Sequence, residues 1–256
     1  MVWRIFKYFQ HLFYRKHRYG HGIHSPYVFE FVNRVIFNSD QTDVPVKIRD
    51  KHRELRNNAE LIPEGERKIR TFVRGASVSL KQGALLFRMA RWMEPGVILE
   101  LGTGLGVSTM YLASGLEDPA SKSAPGRVLT IEGEPSRATF AEDLFKRCGL
   151  TVVKVYCGDM DEQMRVLLSE VEGRFLVFVD GNHRQEPTIS YLRALVRRTE
   201  KEALIVMDDI YWSKGMYRAW KEVISWPEVR VSMDLFHMGI LLLRSDLPKN
   251  QYKIKF

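Results

Sequence analysis

Two periods of hydrophobic patterning divide this chain. From Ser79 onward, nearly continuous apolar runs at 97–102, 127–132, 152–156, 175–180 and 203–208 are separated by segments whose apolar residues recur at helical spacing. Strands that read as almost unbroken Val, Ile, Leu and Phe are strands covered on both faces. Their alternation with helices predicts a buried parallel sheet. The runs at 229–233 and 236–244 are joined by a short turn and predict a closing hairpin that sets an antiparallel strand into that sheet. Residues 252–256 alternate and predict an edge strand. The expected fold class is α/β.

Residues 1–75 follow the helical period instead. Ile5, Phe9, Leu12 and Phe13 recur on one face, widened by Trp3 and Phe6. A stripe this aromatic is expected to bury itself, on the α/β body first, a partner subunit second and lipid third. A homodimer is the oligomer this allows. Ser25 followed by Pro26 predicts a helix start, continued through Tyr27, Val28, Phe31, Val32 and Val35. Residues 40–63 are polar and read as loop or short helix, suited to a mobile lid. A helix through Leu80, Ala84, Leu85, Phe87, Met89, Ala90 and Trp92 precedes Pro95-Gly96 and the first strand. The expected organisation is an N-terminal helical extension, 1–75, and a cofactor-binding domain, 76–256.

Composition narrows the class. The 256 residues, 45% hydrophobic and 27% charged, suit one α/β domain with an appendage. Cys148 and Cys157 form neither a C-x-x-C nor a zinc spacing, which predicts a reducing, cytoplasmic setting. No apolar stretch is long enough for a transmembrane segment, and the aromatic, basic start lacks the apolar core of a secretory signal. Net charge is +8, and Arg4, Lys7, Arg15, Lys16 and Arg18 all precede the first acid, Glu30. This reads as a solvated helix face. It is also the sole support for an alternative in which the chain binds or modifies RNA, and without a recognised nucleic-acid module no nucleic acid partner is expected.

The candidate chemistry begins at Glu100-Leu101-Gly102-Thr103-Gly104-Leu105-Gly106-Val107-Ser108. A buried strand feeds a turn with glycines at alternate positions, and a helix follows. That is the place where an α/β sheet receives a nucleotide-like ligand. The G-x-G-x-G spacing is not the G-x-G-x-x-G of dinucleotide sites. Glu100 inside the strand is costly unless it meets a ligand ammonium or the N–H groups of the turn. Glu132, at the tip of the next strand, is placed to accept hydrogen bonds from two ribose hydroxyls, the alternative being a capping or solvated loop acid. Asp180 closes the fourth strand, and Asp208 and Asp209 close the fifth. Neighbouring strand tips bring such acids together, where a divalent cation relieves their repulsion. All-oxygen ligation suits Mg²⁺ first, then Ca²⁺ or Mn²⁺. The alternative is that one of Asp208 and Asp209 only caps the next helix.

The run Glu100 to Ser108, then Glu132, then Cys157-Gly158-Asp159-Met160, resembles the class I S-adenosylmethionine-dependent methyltransferases. The segments 178–188 and 206–213 resemble their metal-dependent O-methyltransferase branch, the catechol and caffeoyl type and its uncharacterised bacterial relatives, over roughly residues 76–244. The resemblance implies a Rossmann-like doubly wound sheet, mostly parallel with an antiparallel terminal hairpin, and an enzyme of the EC 2.1.1.- type. The donor would be S-adenosylmethionine, and the acceptor a small hydroxylated molecule whose oxygen is clamped by the metal. It makes Glu100, Gly102, Gly104, Gly106, Ser108, Glu132, Asp159 and Asp180 the cofactor set, with Ser108 on the cofactor carboxylate and Asp159 on the adenine amino group. Without the family, Ser108 reads as a helix cap and Asp159 as a loop acid. It makes Asp180, Asp208 and Asp209 the metal set. His183 would be the general base, an imidazole suited to take a hydroxyl proton at neutral pH, or else a partner of Asp180 or a backbone carbonyl. Catechol-type members carry a lysine there, which argues against assigning catechol. Tyr211 and Trp212 are expected to wall the acceptor pocket, and Trp220 to lie in the core. A metal-independent N- or O-methyltransferase is the alternative.

Overall fold

The computed structural model describes residues 2–14, 22–38, 43–63, 65, 67–117, 126–181, 184–199 and 202–256. His183 and the basic residues Arg15, Lys16 and Arg18 lie outside them, as does most of the surface loop expected at 119–126. The fold is Rossmann-like α/β, with five strands at or within a residue of the predicted apolar runs. The chain divides into two compact units, 39–170 and 1–38 with 171–256, so the compact units do not part at the expected boundary after residue 75.

In the unit 39–170, helices α3 (Val46–Asn57), α4 (Ile69–Ala76) and α5 (Leu80–Met93) precede strand β1 (Val97–Leu101). Helix α6 (Val107–Leu116), β2 (Arg127–Glu132), α7 (Pro135–Cys148), β3 (Val153–Cys157) and α8 (Met160–Leu167) follow. The strands lie in the order β3-β2-β1, all parallel. Helix α5 starts at a capping box: Gln82 N donates to Ser79 Oγ at 3.3 Å and Ser79 N to Gln82 Oε1 at 2.8 Å. Helix α6 is buried along its whole length, apolar on every side because it has no solvent face.

The polar segment expected to be a lid is different. Residues 46–57 form the continuous helix α3, which buries Ile48, His52 and Leu55. His52 Nδ1 lies 2.9 Å from Tyr111 Oη of α6. Burial first, and the charge of Arg56 next, pull the His52 pKa down to about 4, so the ring is a neutral core residue at physiological pH. The periodicity that anchors α3 rests on these three positions among eight polar or charged ones, which is why the sequence reads as loop or short helix.

The other unit contains α1 (Val2–Tyr14), α2 (Pro26–Phe31), β4 (Phe175–Val179), α9 (Gln185–Val196), β5 (Glu202–Asp208), α10 (Lys214–Val223), β6 (Val231–Asp234), β7 (Met238–Arg244) and β8 (Asn250–Lys253). Its strand order is β4-β5-β7-β6-β8. Strands β4 and β5 are parallel, β7 runs antiparallel between β5 and β6, and β8 lies parallel to β6 at the edge. The expected terminal hairpin and edge strand are therefore present. Ser25 caps α2 as predicted, accepting from Val28 N at 3.4 Å, and a π-helical turn, Val32–Ile36, carries the apolar pattern onward. Tyr27 Oη donates to Glu202 at 2.6 Å, tying α2 to the start of β5.

Candidate functional site

The unit 39–170 holds the expected cofactor residues. Register explains how they meet. Glu100 pairs with Thr130 across β1 and β2, so both side chains leave the sheet on the same side. Thr130 Oγ1 donates to Glu100 Oε2 at 2.6 Å, and Thr109 Oγ1, one turn into α6, donates to the same oxygen at 2.5 Å. Glu100 is completely buried. Burial raises its pKa to about 7, against the opposing effect of hydrogen bonds from Ser108, Thr109 and Thr130. Its partners are thus hydroxyls, not the N–H groups of the turn, and Oε1 has no hydrogen-bond partner.

Gly102, Gly104 and Gly106 all adopt positive φ, at 106°, 56° and 80°. The N–H groups of Gly102 and Thr103 donate to Ile131 O at 3.1 and 3.0 Å, fixing the turn against β2. A Cβ on Gly104 would stand 3.3 Å from the Phe72 ring, whereas one on Gly106 would stand 2.7 Å from Phe145. Gly106 therefore serves close packing against α7, and Gly104 is the glycine at the open side of the turn. Gly106 is also the N-cap of α6 and supplies no side-chain acceptor, so the first N–H groups of that helix are left for an anion. Ser108 is the second residue of α6, which rules out the cap role, and its hydroxyl is turned to Glu100.

Glu132 gathers donors from three directions. Gly104 N donates to Oε2 at 2.8 Å, Glu134 N donates to Oε1 at 2.9 Å, and Arg137 pairs with Oε1 at 2.8 Å. A carboxylate has about four acceptor positions, so Oε2 keeps one for a ligand hydroxyl. Arg137 was not singled out in the sequence. Its place in the first turn of α7, beside an acidic strand tip, is the signal that points to it. Asp159 is exposed and caps α8, accepting from Asp161 N at 2.9 Å and Glu162 N at 3.2 Å through Oδ1.

The other unit holds the acids expected to bind metal. Val179 pairs with Met207, so Asp180 and Asp208 follow one step on at neighbouring tips. They hydrogen-bond to each other, which requires one proton between them. Burial, then the charge of Asp209, holds the Asp208 carboxyl above the ordinary range, and its Oδ1 has no partner. Asp209 is set differently. It adopts φ 50°, accepts Trp212 N at its carbonyl at 2.7 Å, and its Oδ1 is paired with Arg4 of α1 at 3.2 Å. Among the described residues no group of three His, Cys, Asp or Glu is arranged as a metal cage. His183, the expected base, lies outside the described residues.

Tyr211 lines a cavity with Tyr217, Trp220 and Asp234. It is buried, stacks on Phe236 at 4.8 Å and donates to Asp234 Oδ2 at 2.7 Å. His11 of α1 reaches the same acid, donating from Nε2 to its backbone carbonyl at 3.0 Å with Oδ1 at 3.3 Å. Burial pulls the Asp234 carboxyl up, but hydrogen bonds from His11 and Tyr211 outweigh it and leave the group below its usual range. Trp212 is exposed and lies beneath the Arg4 guanidinium at 5.0 Å, and Trp220 is core as expected. The solvated face predicted for Arg4 and Lys7 is instead a docked one, since Lys7 sits over the Tyr217 ring at 4.6 Å. The stripe of Ile5, Phe6, Phe9 and Phe13, expected to bury itself, is at least half exposed.

Strand order and the glycine turn after β1 are those of a Rossmann-like α/β fold. A family model described as a methyltransferase domain matches residues 99–210. A catechol O-methyltransferase from Niastella koreensis is 33% identical over 136 residues, covering 52% of this chain and 58% of that protein. A catechol O-methyltransferase from Mycobacterium tuberculosis is 31% identical over 142 residues, covering 55% and 60%. The chain thus spans about three fifths of the length of these curated relatives. The O-methyltransferase TomG from Streptomyces achromogenes, solved with S-adenosylmethionine, superposes with a TM-score of 0.60 at 22% identity, over 83% of this chain and 95% of that one.

Proposed function

We propose that this chain is an S-adenosylmethionine-dependent methyltransferase acting on the hydroxyl of a small acceptor. The observation that carries the reading is Glu132 bound to Gly104 N–H at 2.8 Å beside an α6 N-terminus without a side-chain cap. One ligand with ribose hydroxyls and a carboxylate answers both. The domain match over 99–210 and the relatives named as O-methyltransferases support it. When bound, S-adenosylmethionine supplies a methyl group already activated on a sulfonium.

The residues then have separable tasks. Glu132 orients the ribose, and the first N–H groups of α6, that of Ser108 among them, receive the carboxylate. Glu100 holds Thr109 and Thr130 and so keeps the turn in shape. Asp159, exposed at the start of α8, is the proposed adenine contact. Asp180 and Asp208 fit a divalent cation: they share a proton and leave one buried oxygen without a partner, a state that a cation would replace. Such a cation would lower the pKa of an acceptor hydroxyl. Asp209 fits as a third ligand only once Arg4 withdraws. His183 is proposed to take the acceptor proton. Calorimetry with S-adenosylmethionine, followed by methyl transfer to a panel of phenols and other small alcohols, tests the reading. Absence of cofactor binding by the folded protein would end it.

The Arg4–Asp209 pair favours a second reading, in which Arg4 supplies the positive charge and no metal is used. Transfer that persists undiminished in excess EDTA would establish it.

A further inference from the structure

We propose that the cavity between α10 and the edge strands β6 and β8 binds a small aromatic carboxylate. The inference rests on side chains of one unit and does not depend on the methyl-transfer reading. The cavity has a volume of about 320 Å³, at the small end of the range for ligand pockets. Two faces enclose it. Tyr217, Trp220, Lys221 and Ile224 recur at helical spacing along one side of α10 and its C-cap. Opposite them, Ser232 pairs with Gln251 and Asp234 with Lys253, so these four side chains leave β6 and β8 on the same side. A helix laid on a sheet ordinarily meets an apolar face. Here the sheet face is polar, and a space is left between the two.

The occupant follows from which lining groups are already satisfied. Asp234 is: its carboxylate accepts from Tyr211 Oη at 2.7 Å and Phe236 N at 2.9 Å, with His11 Nε2 at 3.3 Å. Ser232 is not. It is 3% exposed, lines the cavity and makes no side-chain hydrogen bond among the described residues. A buried hydroxyl left in that state is costly unless something in the cavity reaches it. The Lys221 ammonium, on an exposed residue of the lining, has neither a carboxylate nor a hydrogen-bond partner among the described residues. Lys253 adds a second cation to the lining. The rings of Tyr217, Trp220 and Tyr252 border the same space. Aromatic walls take a flat ring, and a lysine without a partner takes a carboxylate. A neutral apolar molecule would leave Ser232 and Lys221 as they are. A cation would meet Lys221 and Lys253 as like charges, and an inorganic anion would leave the aromatic walls uncovered.

Titration of the full chain with 2-naphthoate, and with its uncharged isostere 2-naphthamide, tests this by ligand NMR. The naphthoate should bind saturably, and the amide about fivefold or more weakly. Lys221→Glu should weaken the naphthoate about tenfold and leave the amide within about twofold. It should melt like the wild type, because Lys221 is exposed. Ser232→Val places methyl groups at the buried side of the cavity and should weaken both ligands about fivefold. Absence of saturable naphthoate binding by the wild type overturns the proposal. So does equal affinity for the two ligands, and so does unchanged naphthoate affinity in Lys221→Glu.

Discussion

The acids of the two units solve the same electrostatic problem in opposite ways. In 39–170, Glu132 is surrounded by donors from its own unit, two N–H groups and Arg137, so its charge is already supported. In the other unit, Asp180 and Asp208 are supported chiefly by each other and a shared proton, and Asp209 by an arginine borrowed from α1. In the proposed reading the first is a receptor for a neutral, hydroxyl-bearing group, and the second a set of acids holding substitutes for a cation. The lesson is that acidic residues at equivalent strand tips become different sites according to which donors surround them.

The sharpest way to break this contrast is Glu132→Ala. A hydroxyl hydrogen bond to a carboxylate is worth roughly 1.5–3 kcal/mol, so S-adenosylmethionine affinity should fall about tenfold to a hundredfold by calorimetry. An unchanged affinity would show that the receptor is not as described. Glu100→Gln comes next. Burial raises the Glu100 pKa to about 7 from its ordinary 4.5. Between those values the folded state keeps a proton that the unfolded state releases, so wild-type stability falls as pH rises from about 4.5 to 7 and the penalty is complete above it. The amide removes that penalty. It should gain roughly 3 kcal/mol over the wild type at pH 8 and little at pH 4, read from paired denaturant melts.

Gly106→Ala should cost roughly 2 kcal/mol in the same melts, from a left-handed backbone and the Phe145 ring 2.7 Å from the new Cβ. Gly104→Ala should cost about half as much, because Phe72 is met at 3.3 Å. The smallest effect sharpens the other half of the comparison. Arg4→Gln removes a partly exposed ion pair and should lower stability by less than about 1 kcal/mol. The same change should let Mn²⁺ bind several-fold more tightly, and Asp180→Asn should abolish that binding. Equal Mn²⁺ affinity in wild type and Arg4→Gln would show that Arg4 does not stand in for a cation.

The strands were legible because each is an apolar run closed by a glycine or an acid, and no tertiary contact is needed to read that. Gly104 and Glu132 were legible for the same reason. Glu100 was legible as a buried acid needing a partner, but Thr109 and Thr130 were not, because strand register decides which hydroxyl faces it. Helix α3 was hidden by its polar majority, and its three buried positions count only once α6 stands opposite His52. The α1 stripe misled, since an aromatic face usually turns inward. Here the inward face is chosen by Arg4, Lys7 and His11, whose partners lie in the last third of the sequence. That the hydroxyl of Tyr211 is held by Asp234 was not legible, because Asp234 stands on a strand the local sequence does not reveal.

The pairing of Arg4 with Asp209 spans 205 residues of chain. During synthesis α1 is therefore made long before Asp209, Tyr217 and Asp234, the residues it docks on. Order of synthesis and order of docking are reversed for this helix, whose inward face has no partner until most of the chain has been made.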